Sequence, residues 1–282
     1  KGATKPADET MIRPKRQAGA SWMQLIPKAL QHFTDWGAVP VAGPLRALVL
    51  NDVHLPYHDA AAVKLAMKHG IEQQATGVIL NGDIFDFFGL SRWEKDPRKR
   101  DFIGEVQAGK EFLQGVRQAF PKAKIWFKEG NHEERWEKYL QLKAPELLGL
   151  PGFSGQEGYG LDELKFTHIG DKRPLKLGGK LSIIHGHEYR FAISNPVNPA
   201  RGLFLRAKTH AMCGHFHQSA QHSEKNLDQH VVSTWSLGCL CGMHPDYLPV
   251  NNWNLGFAFV DVTASGAFQV DNMRIVDGRV WK

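Results

Sequence analysis

Short apolar runs, each closing on polar residues and glycine, alternate with amphipathic stretches through the first half of the chain. Leu45–Leu50 is the first run and ends in Asn51-Asp52. Positions 77–80 form the second, ending in Asn81-Gly82-Asp83, and 124–127 the third, leading into Gly130-Asn131-His132. Apolar runs this short, bounded by turn-forming residues, predict buried strands. Between them, 59–72 places Ala62, Val63, Leu65, Ala66 and Ile71 on an apolar side, and 101–119 and 131–142 predict two further helices. Strands alternating with helices predict an α/β domain.

The second half reads differently. An apolar run over 181–184 ends in His185-Gly186-His187, a helix is predicted near 200–207, and 209–214 leads into His215-Phe216-His217. From Val231 onward the pattern is mainly β, with strands over 257–262 and 267–275 and turn signals at 264–266 and 277–278. Residues 1–21 carry Lys, Arg, Pro, Gly and Ala with no apolar period and read as a basic tail or linker; 22–36 predicts a short amphipathic helix. The expectation is one domain over 22–282 with two sheets, its motif-bearing core at 45–275.

Composition narrows the class. With 42% hydrophobic and 23% charged residues in 282 positions, the chain can bury a sizeable core and is neither disordered nor fibrous. No apolar run approaches the roughly 18 residues of a membrane-spanning helix, so no membrane partner is expected. Three cysteines exclude a disulfide-stapled scaffold and favour a reducing compartment, hence a cytoplasmic location. Lys and Arg outnumber Asp and Glu by 35 to 29, a net charge of +6 that favours anionic partners. The 14 histidines carry the chemistry.

Five predicted strands end in residues able to ligate a metal: Asp52-x-His54, Gly82-Asp83-x-x-Asp86, Gly130-Asn131-His132-Glu133, His185-Gly186-His187 and Gly214-His215-x-His217. Residues just past the carboxyl ends of strands gather in one crevice in open α/β sheets. Carboxylate, imidazole and amide oxygen together suit Mn²⁺, Fe or Zn²⁺, and a dinuclear site needs a bridging carboxylate.

These blocks, in this order, resemble the calcineurin-like metallophosphoesterases, whose pattern is DxH, GDxxD, GNH(E/D), a lone His and GHxH. The resemblance implies a four-layer α-β-β-α fold, a two-sheet β-sandwich flanked by helices. It implies that Asp52, His54 and His217 bind one divalent metal, that Asn131, His185 and His215 bind a second, and that Asp83 bridges both. Mn²⁺ is the expected ion, with Fe, Zn²⁺, Ni²⁺ or Co²⁺ as alternatives. A hydroxide between the metals would attack phosphorus in line. His132 would protonate the leaving oxygen, and Asp86 would hold His132 in the required tautomer. Cys239, Cys241 and His244 lack the spacing of a zinc site and read as inert.

Substrate class is the open part. Protein Ser/Thr phosphatases of the wider superfamily carry an Arg directly after GDxxD, where this chain has Phe87. The loop 91–101 sets Arg92, Lys95, Arg98, Lys99 and Arg100 beside Trp93, a combination that suits phosphate and a stacked base. Arg135 would meet phosphate or pair along its helix, and His187 would face substrate or support a ligand. The cues DVHLPYHD, NGDIFDFFGLSRW and GNHEERWEKYL resemble stand-alone metallophosphoesterases of bacteriophage and prophage. The expectation is a phosphodiesterase acting on nucleic acid or nucleotides in a bacterial or phage-infected cell. The alternatives are a phosphomonoesterase for a small metabolite and a non-catalytic nucleic-acid-binding protein with a retained metal site.

Overall fold

The computed structural model describes residues 26–28, 36–92, 96, 98, 101–170, 172–189 and 197–282. The chain divides into two compact units, Lys1–Asp35 and Trp36–Lys282. The tail at 1–21 and nearly all of the helix expected over 22–36 lie outside the described residues, and the fold is that of the second unit.

Strands β1 (Val39–Val41), β2 (Leu45–Leu50), β3 (Gly77–Asn81), β4 (Lys124–Lys128) and β5 (Thr167–Ile169) come first, with helices α1 (Ala60–Glu72), α2 (Phe102–Ala119), α3 (Glu134–Lys143) and α4 (Gly155–Tyr159) between them. Then follow β6 (Leu175–Leu177), β7 (Leu181–Ile183), α5 (Pro199–Ala207), β8 (Ala211–Cys213), β9 (Ala220–Lys225), β10 (Val231–Ser236), β11 (Gly256–Val262), β12 (Phe268–Val276) and β13 (Arg279–Trp281). One sheet has the order β13-β12-β11-β2-β3-β4-β5 and the other β1-β6-β7-β8-β10-β9. β2 to β5 are parallel, so the loops after β2, β3 and β4 leave from one edge. β7 and β8 are parallel to each other in the second sheet.

Strand periodicity builds the layers. On β2, Leu48 and Leu50 pack with Ala62, Val63 and Ala66 of α1 and Leu113 and Val116 of α2. Leu45, Ala47 and Val49 face the other way and meet Leu175, Leu177, Leu181, Ile183 and Met212 of the second sheet. On the far side of that sheet, Leu203 of α5 packs on Ile184, Ala211 and Cys213. Helices, sheet, sheet and helix give the four layers that the motif resemblance implied. Among the described residues no helix is long and apolar enough to cross a membrane.

Element limits moved by more than one residue in two places. α3 begins at Glu134 rather than 131, because residues 131–133 form a turn held by the Glu133 carboxylate. The strand expected over 209–214 contracts to β8. Strands β1, β5 and β6 have three residues each, too few for a periodic signal, and the polar edge strand β9 (AQHSEK) has almost no buried face.

Two glycines of α2 make opposite predictions. A Cβ on Gly109 would stand 1.8 Å from Phe85 Cε1, whereas one on Gly115 meets nothing within 4 Å. Gly109→Ala should therefore destabilise by about 1–3 kcal/mol through overpacking. Gly115→Ala should stabilise by roughly 0.5–1 kcal/mol through helix propensity. Urea denaturation of the two variants reads both signs.

Candidate metal centre

Five loops meet at one edge of the sandwich, three from the first sheet and two from the second, and they bring all seven proposed ligands together. His185 Nε2 lies 3.2 Å from Asp83 Oδ2 and 3.3 Å from Asn131 Oδ1. His217 Nε2 lies 3.2 Å from Asp52 Oδ1 and 3.3 Å from His54 Nε2. His54 Nε2 stands 3.9 Å from both Asp52 Oδ1 and Asp83 Oδ2. Asp83 belongs to two compact groups of donor atoms, one with His54 and His132 and one with His185 and His215. Asp52, Asp83 and His185 are almost fully buried.

The arrangement fits cations better than protons. Asp52 Oδ1 is buried and takes part in no well-aligned hydrogen bond. The Nε2 atoms of His54 and His217 face one another at 3.3 Å beside the Asp52 carboxylate, a convergence of ring nitrogens and carboxylate oxygen that a cation satisfies directly. Carboxylate oxygens, ring nitrogens and an amide oxygen make up the donor set of two divalent ions.

Charge and backbone conformation support the same reading. Burial would raise the carboxyls of Asp52 and Asp83, but the neighbouring histidines outweigh it and hold both below the usual range. Burial would likewise lower His185 and His217, yet Asp83 holds the first and Asp52 the second up at about 10. His215 is pushed down to about 4 by burial and by His185. Asp52, His54, Asp83, His215 and His217 all have positive φ, between 51° and 69°, a conformation that costs a non-glycine residue roughly 1–2 kcal/mol. Strain concentrated on ligand positions marks loops shaped for a site rather than for stability.

His132 and Asp86 sit beside this centre, with one change from expectation. The Asp86 carboxylate lies 2.9 Å from His54 Nδ1 and 3.2 Å from His132 Nδ1, so it orients two rings, not one. His132 Nδ1 donates to the Asp86 carbonyl at 2.7 Å, and its Nε2 accepts from Arg135 Nη2 at 2.8 Å. Arg135 also donates from Nη1 to the Asp86 carbonyl at 2.8 Å. Arg135 therefore pairs locally, with His132 three residues earlier, and reaches the loop after β3 as well. His187 Nε2 is held by Glu134 at 2.7 Å, with its ring 5.4 Å from that of His185. Arg92 is exposed and does not line the cleft beside His54. Trp93 lies outside the described residues.

Several supporting residues went unread in the sequence. Glu133 accepts from the backbone N–H groups of Asp83, Ile84, Phe85 and Gly130 at 2.7–3.0 Å, tying the loop after β3 to the loop after β4. A Cβ on Gly130 would lie 2.2 Å from Asp83 Oδ1, so only glycine lets the two loops close. Glu188 does the same across the second sheet, accepting from His185 N–H at 2.9 Å and Gly186 N–H at 2.6 Å. It pairs with the buried Lys128 Nζ at 2.7 Å, which overcomes its burial and lowers its carboxyl to about 2. Cys241 Sγ lies 3.8 Å from His217 Nδ1, and the Trp253 ring packs edge-on to His217 at 4.1 Å. His244 Nδ1 is bonded to the Pro249 carbonyl at 3.0 Å, whereas Cys241, expected to be inert, shares a compact group of donor atoms with His54 and His217.

The chain is similar to two mycobacteriophage proteins. It is 26% identical over 260 residues to the Gene 54 protein of Mycobacterium phage L5, covering 84% of this chain and 98% of that protein. It is 25% identical to the Gene 54 protein of Mycobacterium phage D29 over the same shares. No family model matches. Among solved structures it resembles vacuolar protein sorting 29 from Cryptosporidium parvum (TM-score 0.47, 10% identity, 84% of this chain and 95% of that one). It also resembles Yfce, a phosphoesterase from E. coli (TM-score 0.38, 12% identity, 80% and 98%). A third is a dimetal phosphatase from Danio rerio (TM-score 0.39, 11% identity, 81% and 95%).

Two predictions follow from this geometry. Glu133→Gln turns an amide nitrogen toward backbone donors and removes the charge they converge on. It should cost about 2–3 kcal/mol in urea denaturation and weaken Mn²⁺ binding by calorimetry. The second concerns pH. A histidine whose folded pKa is raised stabilises the fold below its unfolded value of about 6.5 and loses that contribution as pH climbs toward the folded value. With His185 and His217 near 10, metal-free protein should lose stability steadily between about pH 6.5 and 10. Saturation with Mn²⁺ should flatten that slope, because cations replace the ring protons. Thermal melts across pH, with and without metal, test it.

Proposed function

We propose that the protein is a dinuclear metal-dependent phosphoesterase that hydrolyses phosphodiester bonds in nucleic acid or nucleotides. The observation that carries the reading is the Asp83 carboxylate, shared between two groups of donor atoms at the meeting point of both sheets. On this reading Asp52, His54 and His217 hold one cation, Asn131, His185 and His215 the other, and Asp83 both. When bound, the pair supplies Lewis acidity for the phosphoryl oxygens and a water-derived nucleophile at neutral pH.

The chain's own residues do the rest. His132 stays anchored through Nδ1–H on the Asp86 carbonyl; once Arg135 leaves Nε2, that nitrogen takes up a proton from solvent, and the resulting imidazolium hands it to the leaving oxygen. Arg135 occupies that nitrogen in the resting site and gives it up to substrate, its guanidinium taking a phosphate oxygen instead. Asp86 fixes His54 and His132 together, so the ligand and the proton donor keep their relative positions. An intact His132–Asp86 pair favours an enzyme over a binding protein that keeps metal for structure alone. The phage relatives are in keeping with action inside an infected bacterial cell.

The test is turnover of an aryl phosphodiester against the matching monoester, using chelator-stripped protein resupplied with Mn²⁺. The expected result is preference for the diester. In His132→Ala, turnover of substrates with poor leaving groups should fall by about 10²–10⁴ while two metals still bind. Monoester preference would sink the diester assignment, and undiminished turnover would remove His132 from the chemistry.

A further inference from the structure

Three imidazoles of the centre turn Nε2 inward and rest Nδ1 on a neighbour. For His54 the neighbour is the Asp86 carboxylate at 2.9 Å, and for His185 it is the Asn81 carbonyl at 2.9 Å. Both are oxygens, the usual outer partners of a histidine that ligates metal. For His217 the neighbour is a sulfur, Cys241 Sγ at 3.8 Å. Thiol sulfur accepts an N–H weakly, so its presence here calls for a reason.

Backbone bonds, not the side chain, set the place of residue 241. Leu240 N–H donates to the Asp52 carbonyl at 3.0 Å and Gly242 N–H to the Tyr57 carbonyl at 2.8 Å, which fastens the segment to the loop after β2. Cys239 N–H donates to the Asn254 carbonyl at 2.9 Å and Asn254 N–H to the His217 carbonyl at 2.9 Å, which fastens it to the loop after β8. Cys239 Sγ donates to the same Asn254 carbonyl at 3.7 Å. Cys241 is 4% exposed, at the wall of a cleft of about 650 Å³ that His54 and His217 also line.

The ring of His217 needs holding. Its Nε2 meets Asp52 Oδ1 at 3.2 Å and His54 Nε2 at 3.3 Å. Turning the ring over would replace Nε2 by a carbon at that point. Trp253, packed edge-on at 4.1 Å, limits the tilt of the ring. A bond at Nδ1 is what distinguishes one face-to-face orientation from the other, because the turned ring offers a C–H there.

We propose that Cys241 is a positioning residue of the metal centre: its sulfur accepts the Nδ1–H of His217 and keeps Nε2 aimed at the cation held with Asp52 and His54. It acts through His217 and does not touch the metal. The assignment rests on the dinuclear reading and adds to it a residue that the motifs do not contain.

The test is Mn²⁺ binding to the chelator-stripped full chain by calorimetry, in wild type, Cys241→Ala and Cys241→Ser. Two ions should bind the wild type. Cys241→Ala should weaken one of them by about tenfold, the low end for loss of a ligand's outer partner because sulfur is a weak acceptor, and leave the other unmoved. Cys241→Ser restores an acceptor and should recover most of the loss. Circular dichroism verifies that both variants are folded. A thiol that merely fills space would cost the two variants stability alike and spare both ions. Cobalt supplies a readout that needs no variant: Co²⁺-loaded wild type should show no sulfur-to-cobalt charge-transfer band in the near ultraviolet. Unchanged Mn²⁺ affinities in Cys241→Ala, or equal losses in Cys241→Ala and Cys241→Ser, would overturn the assignment. A sulfur-to-cobalt band would overturn it too, by placing the sulfur on the metal. Fewer than two Mn²⁺ in the wild type would sink the dinuclear reading and this assignment with it, whereas two ions in the wild type and unaltered binding in Cys241→Ala would sink this assignment alone.

Discussion

Two carboxylates, Asp52 and Asp83, are buried within reach of the same His54 nitrogen, and the rest of the site follows from that. Anions taken out of water are costly unless a cation or several donors compensate them. One oxygen of each is satisfied by backbone: Asp52 Oδ2 by His215 N–H at 2.8 Å and Asp83 Oδ1 by His132 N–H at 2.9 Å. The other oxygen of each is turned to the ring nitrogens. In the metal-free protein His185 and His217 carry the compensating charge; a bound cation would take over that role and leave them neutral. On the proposed reading the same residues are a fold-stabilising charge cluster in one state and a ligand set in the other.

Holding five strand-end loops at this point requires bonds that do not come from the sheets. Glu133 and Glu188 solve the same problem once in each sheet, a buried carboxylate collecting the backbone amides of a tight loop. Charge-assisted bonds to amides are about twice as strong as neutral ones, enough to offset left-handed conformations at Asp83 and its neighbours. The difference lies in the partner. Glu188 has Lys128 as counter-charge, while Glu133 relies on four amides alone. That makes the Glu133 junction, where Asp83 sits, the more sensitive of the two.

The convergence of the proposed ligand residues was legible in the sequence because each lies in the first few residues after an apolar run, where strand geometry dictates direction. Asp52, Asp83, Asn131, His185 and His215 needed only a strand end and a turn to be placed. What sequence could not carry was contact between distant segments. Glu133 stood in the GNHE block with no visible role, because its four donors come from two loops 50 residues apart in part. The seating of Arg135 on His132 depends on the first turn of α3 starting at 134. Cys241 and Trp253 reach His217 from a segment with no motif. The short strands β1, β5 and β6 had no period to read.

Net charge does not by itself locate charge. An excess of six positive charges directed attention to the basic loop after Phe88, yet the cleft next to His54 is lined by aspartates and aromatics. A sum over the chain fixes the sign of the average surface, not the sign at a site. Among the described residues, Arg135 stands on the His132 side of the centre, and aromatic rings line the cleft on the His217 side, so the local character differs from one side to the other.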